Sequence, residues 1–228
     1  MKVSYLITCK NETDTLRDLL NRVYSAAVSM SDDEVVVLDD NSDNAGTLKV
    51  LAEYENKPKI RVFKHGLDNN YGAHKNFGNE QCLGEYIFQL DGDELPSELT
   101  VGENLHAIIE SNSGIELIYV PRMNDYIGVT SEHAKQWGWR LSESPTLKRP
   151  LVNWNDPQGR IYRKIPDRIK WDRRLHEKIE GHQSYAFLPA EDESFAIWHR
   201  KTIEKQLQTN YRYNKAFTQA ENMGHKIV

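Results

Sequence analysis

Short apolar runs alternate along the chain with stretches whose apolar residues recur every three or four positions. Residues 3–8 form the first run and predict a buried strand. Residues 14–28 place Leu16, Leu19, Leu20 and Val23 on one face, the spacing of an amphipathic helix. Residues 34–38 predict a second strand, and 45–54 a second helix with Leu48, Leu51 and Ala52 on one face. Strand 60–63, helix 72–82, strand 86–90, helix 97–109 and strand 116–120 continue the alternation. Repeated β-α units with continuous apolar strands imply a mostly parallel sheet covered by helices on both faces, an α/β protein. Ligands of such sheets bind outside the carboxyl ends of the strands.

The second half changes character. Residues 122–159 are rich in Trp, Gly, Pro and polar groups and lack a clear period, which predicts long loops over the sheet edge, in the manner of a lid. Residues 160–198 alternate short strand-like pieces with turns, and 200–223 predict a polar amphipathic helix. No internal repeat interrupts the pattern. We therefore expect one continuous domain with halves at 1–122 and 123–228.

Composition narrows the picture. The 228 residues are 39% hydrophobic and 28% charged with a formal net charge of −5, which gives no global attraction to nucleic acid or anionic lipid. A local exception is 160–178, where eight Lys or Arg stand against three acids, a local charge of +5. Cys9 and Cys82 alone make no disulfide framework and suit a reducing compartment. No apolar run approaches the ~20 residues of a membrane span, and the first residues lack a signal-peptide pattern. The expected location is cytoplasmic.

Polar clusters follow the strands. Thr8 to Glu12 follows the first, Asp39-Asp40-Asn41-Ser42-Asp43 the second, and Asp91-Gly92-Asp93-Glu94 the fourth. Asp91 and Asp93, one residue apart, can grip one hard divalent cation that in turn holds a diphosphate. Gly92 between them lets the backbone approach closely. One acid of Asp39-Asp40 can accept hydrogen bonds from a nucleobase or ribose. Gly72 and Lys75 follow the third strand, where the lysine can neutralise a phosphate. The same residue types also build Asx turns and helix N-caps, before Asn44 and near Ser97, so each cluster alone has a structural explanation.

Taken in order, Thr8…Asn11-Glu12, Asp39 to Asp43, Asn70-Tyr71-Gly72…Asn76, Gly84-Glu85-Tyr86 and Leu90 to Glu94 resemble the family 2 glycosyltransferases over roughly residues 3–122. The resemblance implies a glycosyltransferase-A fold with a Rossmann-like sheet, a nucleotide-sugar donor, a divalent cation (Mn or Mg) and inversion at the anomeric carbon. It implies a donor site of Thr8, Asn11, Glu12, Asp39, Asp40, Asn70, Gly72, Lys75, Asn76, Asp91 and Gly92, with Asp91 and Asp93 at the metal. Gln158 to Tyr162, Ile169-Lys170-Trp171, Leu175 to Ile179 and Ile197-Trp198-His199 resemble the acceptor half of bacterial transferases similar to lipopolysaccharide-core glucosyltransferases, which points Arg160 and His176 at the acceptor. The usual apolar-Pro start is replaced by Ile7-Thr8-Cys9-Lys10.

An inverting transfer needs a carboxylate to take the acceptor proton. Glu177 is that base by its match to the acceptor-side motif, ahead of Glu94 and Asp192. A solvated ion pair with Arg173 or Arg174 is its structural alternative. His199 completes the metal shell, since imidazole suits Mn better than Mg. Trp139 and Trp154 offer aromatic faces to a sugar, although core packing explains a Trp equally well. The acceptor is expected to be a saccharide. The +5 segment keeps open a modified base of phage DNA. A nucleotidyltransferase and a non-catalytic nucleotide-binding module are the readings of another class.

Overall fold

The computed structural model describes residues 1–144 and 146–222. The first half follows the alternation closely: β1 (Val3–Cys9), α1 (Asp14–Ser29), β2 (Glu34–Asp39), α2 (Ala45–Glu55), β3 (Ile60–Lys64), α3 (Tyr71–Gln81) and β4 (Tyr86–Asp91). The four strands lie parallel in the order β3-β2-β1-β4. β2 is buried at all six positions because helices cover both faces, which is why its sequence reads as an unbroken apolar run. Leu16, Leu19, Leu20 and Val23 of α1 are fully buried against this sheet.

α2 corrects the expected face. Thr47, Val50, Leu51 and Tyr54 are buried, whereas Leu48 and Ala52 are exposed. A polar Thr47 at the core disguised the stripe; its hydroxyl is satisfied by the Glu12 carbonyl at 2.8 Å. The helix expected over 97–109 divides. A single 3-10 turn (Glu98–Thr100) follows β5 (Glu94–Pro96), and α4 (Gly102–Ser111) starts afresh at Gly102, whose φ of +58° breaks the path.

The second half departs most from expectation. Residues 122–159 are not long loops. They hold the outer part of β6 (Leu117–Ile127), α5 (Ser131–Trp137), β7 (Leu141–Glu143) and most of β8 (Pro150–Arg163). β8 runs antiparallel between β4 and β6, so the full order is β3-β2-β1-β4-β8-β6-β12-β5, where β12 is Ile197–Thr202. Strands β9 (Lys170–Asp172) and β10 (Lys178–Glu180) form a separate hairpin, and β11 (Tyr185–Phe187) lies beside β6. The last helix, α6, is Ile203–Ala216; residues 200–202 belong to β12, and position 223 of the expected helix lies outside the described residues.

Candidate active site

Sheet register gathers the polar clusters. β1 pairs with β2 and β4 so that Cys9 lies opposite Asp39 and Thr8 opposite Asp91. Their carboxyl ends open into a cavity of about 1180 Å³. Thr8, Glu12, Asp40, Lys75, Asp91, Gly92, Asp93, Trp139, Arg160, His176, Glu177 and His199 all line it.

Asp91 forms one wall. Its Oδ1 accepts from Thr8 Oγ1 at 2.8 Å and Gln89 Nε2 at 2.9 Å, and lies 3.3 Å from Lys75 Nζ. Its Oδ2 is 3.0 Å from Arg160 Nη2. Burial alone would raise this carboxyl; Lys75 and Arg160, with the two hydrogen bonds, hold it well below the usual carboxylate range. Arg160 is itself buried and also binds Glu94, whose Oε2 accepts from the Asp91 N–H at 3.0 Å. Arg160, expected at the acceptor, is thus committed to the acids beneath the site. Lys75 continues across the cavity: its Nζ lies 2.7 Å from Glu177 Oε1 and 4.5 Å from the centre of the Trp171 ring. The candidate base is therefore ion-paired with Lys75, not with Arg173 or Arg174 as its structural alternative supposed.

Asp93 forms a second group. β5 and β12 pair with His199 opposite Glu94, which brings His199 Nε2 to 3.5 Å from Asp93 Oδ2. His199 Nδ1 is 2.8 Å from Asn124 Oδ1. The Asn124 amide nitrogen donates to Asp156 Oδ2 at 2.9 Å and to the Val152 carbonyl at 3.2 Å, which fixes its oxygen toward the histidine. Nδ1 then carries a proton, and Nε2 is the nitrogen turned to Asp93. Burial lowers the His199 imidazole against the pull of Asp93. Burial would raise the Asp93 carboxyl, but His199, Lys201 and Lys205 depress it strongly. Asp93 and His199 thus face each other across 3.5 Å, a carboxylate and an imidazole that together could hold a divalent cation.

The donor set suits Mg or Mn. Neighbouring ligands on an octahedral ion sit roughly 3 Å apart, and such ions take one or two protein side chains and complete their shell with phosphates and water. Among the described residues no group of three or more His, Cys, Asp or Glu forms an all-protein cage. Glu12 lies nearby: burial and the Asp93 charge push its carboxyl up to about 7. Asp91, expected beside Asp93 at the metal, has both oxygens engaged by Thr8, Gln89, Lys75 and Arg160.

At the other end, Asp40 Oδ1 accepts from the Leu67 N–H at 2.8 Å and Oδ2 pairs with Lys10 at 2.9 Å. Asp39 is buried below the cavity wall, with Oδ1 accepting from the Ser42 N–H. Four expected donor residues instead shape the scaffold and do not line the cavity. Asn11 Oδ1 accepts from the Asp43 and Asn44 N–H groups, and its amide donates to Asp43. Asn70 caps α3 by accepting from the Ala73 N–H. Gly72 packs so closely that a Cβ there would lie 2.5 Å from the Arg173 carbonyl oxygen. Asn76 clamps the Trp171 backbone through two hydrogen bonds of 2.8 Å. Gly92, by contrast, sits at the wall, where a Cβ would meet Cys9 Cβ at 2.9 Å.

Trp139 lines the cavity beside Tyr126, whereas Trp154 packs into a small cluster with Met123, Leu151 and Ala196 away from it. His176 lies 3.3 Å from Asn222 Oδ1. Sequence reasoning missed Lys10, Arg122, Asn124, Asp156 and Lys201. Lys201 was findable: the two-residue period of β12 puts it on the same face as His199. Burial and Arg122 lower it, against Asp93, to about 8.

Residues 4–180 match the sequence model of Glycosyl transferase family 2. The chain belongs to that family. Over 96 residues this family 2 chain is 36% identical to the undecaprenyl-phosphate 4-deoxy-4-formamido-L-arabinose transferase of Pseudomonas fluorescens, covering 40% of this chain and 27% of that protein. Over 115 residues it is 28% identical to the poly(ribitol-phosphate) beta-N-acetylglucosaminyltransferase TarP of Staphylococcus aureus, covering 50% and 35%. The chain spans well under half the length of these curated relatives. Its fold matches Staphylococcus aureus TarS with a TM-score of 0.59 at 17% identity, over 96% of this chain and 41% of that one. The likeness is one of architecture, the glycosyltransferase-A fold, as the resemblance to family 2 implied.

Proposed function

We propose that the chain is an inverting, cation-dependent glycosyltransferase that moves a sugar from a nucleotide-sugar donor to a hydroxyl of a saccharide acceptor. The observation that carries this reading is the Asp93–His199 pair in one cavity with the Lys75–Glu177 pair. A bound Mg or Mn would neutralise charge that gathers on the departing diphosphate. Asp93 and His199 would hold it, and Asn124 orients the imidazole. Lys201 and Lys205 add positive charge beside Asp93, where a diphosphate is anionic. Asp40 and Lys10 sit at the nucleoside end. Residues 1–122 supply the nucleoside end and Asp93, and the second half supplies Glu177 together with His199, Lys201 and Lys205.

Glu177 takes the acceptor proton. Its pair with Lys75 holds the carboxylate through Oε1 and leaves Oε2 to meet the hydroxyl. Asp91 acts indirectly: it anchors Lys75 from the opposite side and so sets where Glu177 stands. The relatives support the substrate class, since TarS binds UDP-GlcNAc. A saccharide acceptor is favoured over modified DNA by how the +5 run is spent. Arg160 binds Asp91 and Glu94, Lys164 the Cys82 carbonyl, Arg168 Glu116 and Arg174 Glu221, so half of the eight basic residues of the run are already engaged within the protein.

The test is thermal stabilisation by sugar nucleotides with and without manganese. A ligand that binds only the folded state at 100 times its Kd adds about 2.7 kcal/mol. Stabilisation should need both ion and nucleotide, vanish in Asp93→Ala and survive in Glu177→Gln. Equal stabilisation in excess chelator would contradict the cation role. Release of pyrophosphate from a nucleoside triphosphate would transfer the chain to the nucleotidyltransferases.

A further inference from the structure

One aromatic cluster has no role in the chemistry above. β11 lies parallel to β6 with Tyr185 opposite Leu117 and Phe187 opposite Tyr119. The two-residue strand period puts all four on one face. Tyr119 and Phe187 stack with centroids 4.8 Å apart and planes 19° apart, and Tyr185 stands edge-on to both at 6.0 and 5.7 Å. Tyr185 is 59% exposed and Phe187 58%, an unusual cost for two aromatic side chains on one three-residue strand.

The cluster is continuous with the active cavity. Leu117, Tyr119, Glu180 and His182 are cavity walls as well as neighbours of these rings. Gly159, another cavity wall, lies opposite Tyr119 on β8, where a Cβ would meet Leu117 Cδ1 at 3.3 Å and Tyr119 Cε1 at 3.6 Å. Two polar groups accompany the rings. The Glu180 charge acts on the Tyr119 hydroxyl, and His182, edge-on to Tyr185, has a buried Nδ1 with no hydrogen-bond partner. β10 leads from the cluster directly to Glu177, which precedes it; three residues of strand span about 10 Å.

We propose that Tyr119, Tyr185 and Phe187, with Glu180 and His182, form a distal acceptor subsite that stacks a non-reacting sugar ring of an oligosaccharide. The chemistry selects a sugar over a protein partner. Ring faces match the C–H faces of a pyranose, and the carboxylate and imidazole at the same edge match its hydroxyls. Glu180, at the edge of the subsite, is separated from Glu177 by about 10 Å of strand, roughly two sugar rings. The acceptor is then at least two sugars long, and the subsite contributes binding shared by ground and transition states, which lowers KM without raising kcat. This inference rests on the glycosyltransferase reading of the cavity.

The experiment compares the full chain with Tyr185→Ala/Phe187→Ala in two assays. Thermal stabilisation by UDP-GlcNAc and a panel of other sugar nucleotides with manganese reads the donor site alone. Binding to an array of bacterial surface oligosaccharides, and to cellobiose, maltose, chitobiose and their monosaccharides in solution, reads the subsite. The expected result is unchanged donor stabilisation, oligosaccharide binding at least tenfold weaker in the variant, and monosaccharide binding alike in both. Oligosaccharide binding equal in variant and wild type overturns the subsite while leaving the donor reading intact. A wild-type dimer that the double variant dissolves, with no glycan bound, reassigns the rings to an interface between copies and likewise overturns it. Failure of every sugar nucleotide to stabilise the wild type removes the glycosyltransferase reading itself.

Discussion

Asn124 touches no proposed reactant, yet its orientation decides which nitrogen of His199 is free. Replacing it with Ala removes the acceptor for Nδ1–H and lets the ring turn or change tautomer. Loss of such a supporting partner typically costs 10–100-fold in metal affinity. The manganese concentration that half-stabilises the protein with a sugar nucleotide should rise by that factor, and an unchanged midpoint would show that His199 does not serve the ion. Glu177→Gln keeps the shape and removes the base, so kcat should fall roughly 10²–10⁴-fold with donor KM little changed. Side-chain direction explains what was legible at this scale. Asp93, Glu177 and His199 stood out in the sequence because adjacent acids and a motif advertise chemistry, and the structure brings all three to one cavity. Asn11 and Asn76 were not, because an asparagine near a ligand site and one clamping a distant backbone look alike until the partner is known. Asn76 meets Trp171, 95 positions away.

At the scale of elements, buried parallel strands announced themselves. β1, β2 and β4 bury nearly every position and leave no ambiguity of period. β8 stayed hidden. Pro150-Leu151-Val152-Asn153-Trp154-Asn155-Asp156-Pro157-Gln158-Gly159 carries two prolines, a glycine and several exposed polar groups, and only its pairing with β4, β6 and β7 makes it a strand. The hairpin of β9 and β10, which carries Trp171 and leads out of Glu177, is held to α3 by Asn76. Asn76→Ala should therefore destabilise by about 1–3 kcal/mol, because the Trp171 N–H and carbonyl lose partners in a part-buried setting. Denaturant unfolding measures it, and a change under half a kcal/mol would mean water replaces the amide. Asn44 accepts from the Gly46 and Thr47 N–H groups at the start of α2, and Asn44→Ala should cost roughly 1 kcal/mol by the same method.

For the molecule as a whole, acid is the condition that loosens the sheet. Buried Glu34 accepts from Ser4 Oγ at 2.7 Å and the Leu83 N–H at 2.6 Å, and pairs with Arg61 at 2.7 Å. Burial would raise it; these partners outweigh burial and hold it below the ordinary value of 4.5. A depressed folded value means the unfolded chain binds more protons in acid, so the stabilisation is complete above that ordinary value and drains away as pH falls below it. The thermal midpoint should drop on acidification below about pH 4.5, and Glu34→Gln should lower the midpoint at neutral pH while flattening the acid slope. A variant with the wild-type slope would move the acid sensitivity to other carboxylates. No described helix is long and apolar enough to cross a membrane.

β8 lies between two strands that emerge from the ribosome before it does. Until residue 163 is synthesised, β4 and β6 have no neighbour on the sides that β8 will occupy, and the nascent chain carries two naked, apolar strand borders. Such borders invite pairing with other chains. Expression truncated near residue 145 should accumulate as aggregate or in complex with chaperones; extension through 163 covers the β4 border and one border of β6, and solubility should return only with extension through 202, where β12 covers the other.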